Sequence, residues 1–273
     1  YLLISEKKLI KDISLRNFYI RRILRIWPLY YLLVIFGFGV LAFLKYGSII
    51  STPEPSNFFY YLSFFANFDL IRIWPSVPDA LPIIVLWSVA VAEQFYLTWP
   101  IFLKYISIKN LPYLFIAIVL FTLLFRSFYT GQNDHEYAMR YFHTFSVIGD
   151  MALGGLMAYY CSFKNKLYNL IVEMPKFVII LLYFTTAILI LFKQEIFYNP
   201  VLLTFERVLL SVLFALLIAE QNFSKNSFFK FSNFKLMTKM GIYTYGLYCM
   251  QFIGILLVQK GFDKFGLNIG NWG

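Results

Sequence analysis

The chain has 273 residues, 60% of them hydrophobic, 21% aromatic and 14% charged, with a net charge of +10. A water-soluble domain carries roughly a quarter charged residues, so the composition excludes one and indicates an integral membrane protein. The basic excess is not read as a nucleic-acid footprint, because lysines and arginines gathered in short loops are what membrane orientation produces.

Apolar runs recur from end to end without a soluble insert. That predicts a single transmembrane domain over 1–273, an all-α polytopic helix bundle. The opening "YLLI" meets the charged run "SEKKLIKD" at once and reads as the last turn of a span that begins before Tyr1. Counting mostly apolar runs of about 17 residues or more gives about seven spans: 28–44, 84–106, 111–128, 141–161, 177–192, 201–219 and 241–259. The stretch 57–70, "NFFYYLSFFANFDL", is apolar but short, and prolines break the chain after it. If 57–70 does not cross, loops on one side hold sixteen Lys/Arg and those on the other seven, with Arg207 left inside a span. Letting it cross moves the four-lysine loop (Lys225, Lys230, Lys235, Lys239) outside. The positive-inside rule therefore makes 57–82 a re-entrant or interfacial segment on the outer side.

Four stretches hold chemistry. In "SLRNFYIRRILRIWPLYY", 14–31, Arg21, Arg22 and Arg25 fall within one 100° arc of a helix at the cytoplasmic surface. Guanidinium groups grip phosphates bidentately, and the same arc also suits anionic lipid or the setting of topology. In "LWSVAVAEQFYLTWP", 86–100, Glu93 is an intramembrane carboxylate: a general base, a partner for an arginine, or a neutral hydrogen-bonded group. In "RYFHTFSVIGDMALGG", 140–155, His143 and Asp150 lie near one helix face, too far apart for a direct hydrogen bond. Small residues at Gly154 and Ala158 are spaced for close helix packing. "GIYTYGLYCMQFIGI", 241–255, is a tyrosine-rich helix start suited to an interface. Cys161 and Cys249 show neither metal-ligand spacing nor a disulfide framework, so no metal is expected. Walker, HExxH, CxxC and G-x-S-x-G signatures are absent, which leaves hydrolase and ATPase readings without support.

In this order, "SLRNFYIRRILRIWPLYY", "LWSVAVAEQFYLTWP", "HTFSVIGDMALGGLMAY" and "GIYTYGLYCMQF" resemble the acyltransferase-3 family, bacterial membrane O-acyltransferases acting on surface polysaccharides. The resemblance implies a bundle of about ten helices in the cytoplasmic membrane with both ends cytoplasmic; on it the chain is a fragment that lacks the first helix, most of the second and the last. It implies transfer of an acyl group, acetyl by expectation, from cytoplasmic acyl-CoA to a hydroxyl of an extracytoplasmic or lipid-linked glycan. Acyl-CoA is then a cosubstrate and no cofactor is bound. Arg21, Arg22 and Arg25 match the family's arginine motif and would hold the donor's phosphates. Glu93 would mark the acyl-transfer path, and Trp87, His143, Asp150 and Arg207 would line the way to the acceptor. The family's base histidine belongs to a helix before Tyr1. Two positions depart from the family pattern: Ala92 stands where the glutamate usually falls, and Gln251 where histidine is common. The alternative they raise is an inactive homologue that binds or transports a glycan or lipid.

Overall fold

The computed structural model describes residues 1–41, 56–76 and 83–264. Helices run in chain order as α1 (Leu2–Ile10), α2 (Leu15–Ile35), α3 (Phe58–Leu62), α4 (Ala66–Ile73), α5 (Leu86–Tyr105), α6 (Leu111–Phe128), α7 (Asp134–Phe142), α8 (Thr144–Ser162), α9 (Lys166–Val172), α10 (Lys176–Leu191), α11 (Lys193–Ile196), α12 (Pro200–Phe223) and α13 (Lys235–Lys264). There is no strand among the described residues. The all-α expectation holds, and each of the seven anticipated spans has a helix. By length and composition four segments suffice to cross a membrane: Leu15–Val40, Ile108–Phe128, Pro200–Phe223 and Lys235–Val258. α9 and α10 make a fifth only as one pair, bent by 94°. Polar residues such as Glu93, Gln94 and Asp150 dilute α5 and α8.

Several boundaries differ from the sequence reading. The arginine arc and the first span are not two elements: α2 is continuous through Pro28 and passes into a π-helical turn at Phe36–Leu41. The arginines therefore sit on the first turns of the spanning helix, not on a separate helix along the surface. The end of span 28–44 and the proline run after Ser76 lie largely outside the described residues. Residues 57–73 form two short helices, neither of which can cross alone. The span drawn at 141–161 breaks at His143, where α7 ends and α8 begins.

α6 and α8 pack most closely. A Cβ on Gly155 would lie 2.2 Å from the Phe115 ring, and one on Gly149 would lie 3.0 Å from Thr122. Gly154, named for this role from its spacing, has nothing within 4 Å of a built Cβ. The small residues do permit close approach, but on the adjacent face. A second core joins α2, α3, α5 and α13 through Tyr30, Tyr61, Leu86, Ala90 and Cys249, all fully buried. α1 is fastened beneath α5: the Lys7 amine donates to the carbonyls of Leu103, Lys104 (3.1 Å) and Ile106 (2.5 Å). A cation there also satisfies carbonyls that the helix end leaves unpaired.

Candidate functional site

The three arginines converge on one space. A cavity of about 760 Å³ lies between α1, the start of α2, α5 and α8, and Arg21, Arg22 and Arg25 all line it. Its other walls include Phe95, Trp99 and Gly155. Among the described residues none of the three arginines forms an ion pair. Arg22 lies against two rings, its guanidinium 4.2 Å from the Tyr96 ring centroid and 5.5 Å from that of Phe18. Cation–π contact orients that planar group without using its N–H donors. The site thus offers three guanidinium groups above an aromatic floor, in a space of the size small-molecule ligands occupy.

A second cavity, about 290 Å³, shares Arg22, Arg25 and Tyr96 with the first and continues along α5 past Ala92, Val89 and Ser88 to α13. Tyr245 and Tyr248 form its far wall. The Tyr245 hydroxyl donates to the Ile26 carbonyl at 3.0 Å, and the Tyr248 and Ser88 hydroxyls bond to each other. The tyrosine-rich stretch read as a helix start lies inside α13, which begins at Lys235, and forms one side of this pocket.

Ala92, not Glu93, faces this pocket. Successive helical residues differ by 100°, so Glu93 points elsewhere. It is 2% exposed, and its Oε2 accepts a hydrogen bond from Trp27 Nε1 at 3.0 Å. Oε1 has no partner among the described residues.

Gln94 is the neighbour that sequence reasoning passed over. Its amide nitrogen donates to the Phe64 carbonyl at 2.7 Å and to Asn67 Oδ1 at 2.9 Å, while its Oε1 accepts from Thr144 Oγ1 at 2.5 Å. Asn67 in turn donates to Thr144 Oγ1 and to the Phe142 carbonyl, both at 3.1 Å. One side chain therefore pins α5 to the α3–α4 turn and to the break between α7 and α8. Phe64 is left-handed there at φ 59°, a conformation a phenylalanine holds only where its surroundings fix it.

The remaining predicted residues lie apart from the arginines. Asp150 bonds Arg207 Nε at 2.5 Å and Ser211 Oγ at 2.9 Å, joining α8 to α12. His143 is not on the helical face of Asp150. It caps α8, accepting from the Phe145 amide at 3.1 Å, and stacks on Phe125 with ring centroids 4.7 Å apart. Helix geometry was projected through residue 143, whereas the backbone there is extended. Trp87 packs on Phe142 and Tyr141 near the start of α5.

Arg126 and Arg140, counted in sequence as outer-loop charges, are 3% and 5% exposed. Arg126 donates to the carbonyls of Leu203 and Thr204, both at 3.1 Å, and to Ser146 Oγ at 3.0 Å. Arg140 donates to the Thr130 carbonyl at 3.0 Å. Among the described residues no three His, Cys, Asp or Glu side chains gather as a metal site, and Cys161 and Cys249 are free and buried.

Comparison with known proteins bears on this geometry. Residues 1–273 match the profile of the acyltransferase-3 family, described as an acyltransferase domain. "Peptidoglycan O-acetyltransferase OatA" of Listeria monocytogenes is 28% identical over 274 aligned residues, covering 92% of this chain and 42% of that protein. "Putative peptidoglycan O-acetyltransferase YrhL" of Bacillus subtilis is 33% identical over 95 residues, 34% of this chain and 15% of that protein. An uncharacterised Haemophilus influenzae protein is 25% identical over 167 residues, 56% of this chain and 66% of that one. The chain spans less than half the length of the two proteins named for peptidoglycan. No solved structure matches it.

Proposed function

The chain belongs to the acyltransferase-3 family, and from that premise we propose that it moves an acyl group, acetyl by preference, from acyl-CoA to a hydroxyl of a cell-wall glycan or its lipid-linked precursor. The proposed setting is the bacterial cytoplasmic membrane, with the donor entering from the cytoplasmic side. The names of the relatives support a glycan acceptor. The observation that carries the donor half is the 760 Å³ cavity into which Arg21, Arg22 and Arg25 converge. Guanidinium forks suit the phosphates of a nucleotide thioester, and the aromatic floor suits its flat and apolar parts.

In this reading the arginines hold the donor and the smaller cavity admits its acyl end. The acceptor oxygen attacks the thioester carbonyl, the hydroxyl proton leaves to a base, and the CoA thiolate departs. Ser88, Tyr245 and Tyr248 line the space where the carbonyl oxygen takes on charge, and a hydroxyl that turns there from its present partner lowers that barrier by donating a hydrogen bond. Glu93 acts one layer back, through Trp27 on the arginine helix. The test is acyl-CoA binding and acyl transfer by the purified chain. Loss of binding on replacing Arg22, with none on replacing Lys230, supports the assignment; equal effects refute it.

One observation favours a second reading, a homologue that binds without turnover. The residue facing the smaller cavity on α5 is Ala92, where the family pattern leads one to look for a carboxylate. Acyl-CoA binding with no transfer to any glycan acceptor would select it.

A further inference from the structure

The outer ends of α4, α5 and α7 set four aromatic rings in a row. Trp74 stacks on Tyr137 with centroids 5.2 Å apart and planes at 25°. Tyr137 runs parallel to Tyr141 at 5.7 Å and 9°, and Tyr141 meets Trp87 at 5.5 Å. Tyr137 and Tyr141 are i and i+4 on α7, so they share a face. Ala138 and Phe142 take the buried face, which leaves both tyrosines 42% exposed.

An interfacial aromatic belt also yields half-exposed rings, but this row has features a belt does not need. Its inner side is apolar, with Trp74 and Trp87 packed on Leu70, Ile73, Ala138 and Phe142, but at the Tyr137 end stands the ion pair between Lys193 and Glu206, itself 2.6 Å long. Within the row, the Trp74 indole nitrogen is buried with no partner among the described residues. Buried donors are rarely left unpaired without a reason. Along α5 the row ends one residue before the smaller cavity begins. Trp87 directly precedes Ser88, whose hydroxyl bonds Tyr248, and Tyr248 lies within electrostatic reach of Tyr141.

We propose that the row Trp74, Tyr137, Tyr141 and Trp87 is a docking wall for the sugar rings of the acceptor. A hexopyranose presents an apolar C–H face and a polar rim. The exposed parts of the rings meet the face, while the phenolic hydroxyls and the half-exposed Lys193 meet the hydroxyl and amide groups of the rim. A glycan seated here has its chain on the outer side and one hydroxyl at the mouth of the smaller cavity. The identity of the occupant rests on the acyltransferase reading; the wall itself does not.

The test is calorimetric titration of the detergent-solubilised chain with chitotetraose, an N-acetylglucosamine oligomer, and separately with acetyl-CoA. Tyr137→Ala with Tyr141→Ala should weaken chitotetraose binding at least tenfold and leave acetyl-CoA binding unchanged. The pair Tyr137→Phe and Tyr141→Phe keeps the rings and should lose no more than about a third of that effect on a logarithmic scale. Phe177→Ala, at a 73% exposed ring on α10, should change nothing. If the double alanine does not fold, Tyr141→Ala alone carries the test with a smaller loss in the same direction. Chitotetraose that does not bind, or binds the alanine variants as it does the parent, overturns the proposal. Absence of acetyl-CoA binding alongside ring-dependent sugar binding would overturn the donor assignment and leave the wall standing.

Discussion

The indole N–H of Trp27 on α2 donates to the carboxyl of Glu93 on α5 at 3.0 Å, less than two turns beyond the arginines. The helix that carries the arginines is thus keyed to the helix that carries the signature stretch. Trp27→Phe removes that donor and leaves a buried acceptor unpaired, which costs about 1–3 kcal/mol. A lower thermal midpoint in detergent is the expected result. Glu93→Gln keeps an acceptor for Trp27 and should melt near the parent; a Trp27→Phe variant that also melts with the parent would show the bond to be unimportant.

In the proposed donor site Arg22 offers a charge and a cation–π contact with Tyr96. Arg22→Ala should weaken acyl-CoA binding by tenfold or more, since a charge-assisted hydrogen bond contributes about 1.5–3 kcal/mol. Arg22→Lys keeps the charge but loses the fork and the stacked plane, so it should fall between the two. Lys230→Ala, on the loop before α13, is the control for net charge. Equilibrium binding to membranes that contain each variant decides.

The α6–α8 contact predicts opposite results at adjacent glycines. Gly155→Ala drives a methyl into Phe115 and should cost about 1–3 kcal/mol. Gly154→Ala meets open space and should be neutral or slightly favourable, as helix propensity favours alanine. Thermal midpoints of the two variants check the pair.

The loop before α7 is closed by Glu136, which accepts from the Thr130 hydroxyl at 2.9 Å and from the amides of Gly131 and Gln132. The Thr130 hydrogen bond, followed by those of the backbone amides, holds its carboxyl below the usual glutamate range. Because the folded value is depressed, the closure is complete above the ordinary carboxyl range and is lost as pH falls through the folded value. Amide exchange at Gly131 and Gln132 should therefore gain an excess acceleration on acidification, beyond its intrinsic pH dependence. Glu136→Gln should abolish that excess; an unchanged profile would remove the clamp.

Hydropathy made most helices legible, because a membrane span must be long, apolar and helical whatever it touches. The arginine arc was legible too, since 100° per residue is a local rule and the three side chains do meet one cavity. What failed were relationships set by distant partners. Arg126 near the end of an apolar run reads as a loop charge, and only the approach of α12 and α8 reveals the carbonyls and hydroxyl it serves. Gln94 looks like a polar neighbour of Glu93; its three partners are 27 to 50 residues away. His143 was placed by extending a helix through a residue that ends one. The shift from Glu93 to Ala92 was readable as a register change, but which of them faces a cavity depended on α13, 150 residues further on.

The fastening of α1 by Lys7 separates access from affinity. α1 is one wall of the larger cavity, and a single amine clasping the last carbonyls of α5 helps keep that wall in place. A change that neutralises the amine, such as acylation of Lys7, would loosen the wall while leaving every arginine in its charge state. On the proposed function, donor admission and donor grip would then respond to different perturbations, the first to one buried lysine behind the wall, the second to three arginines inside.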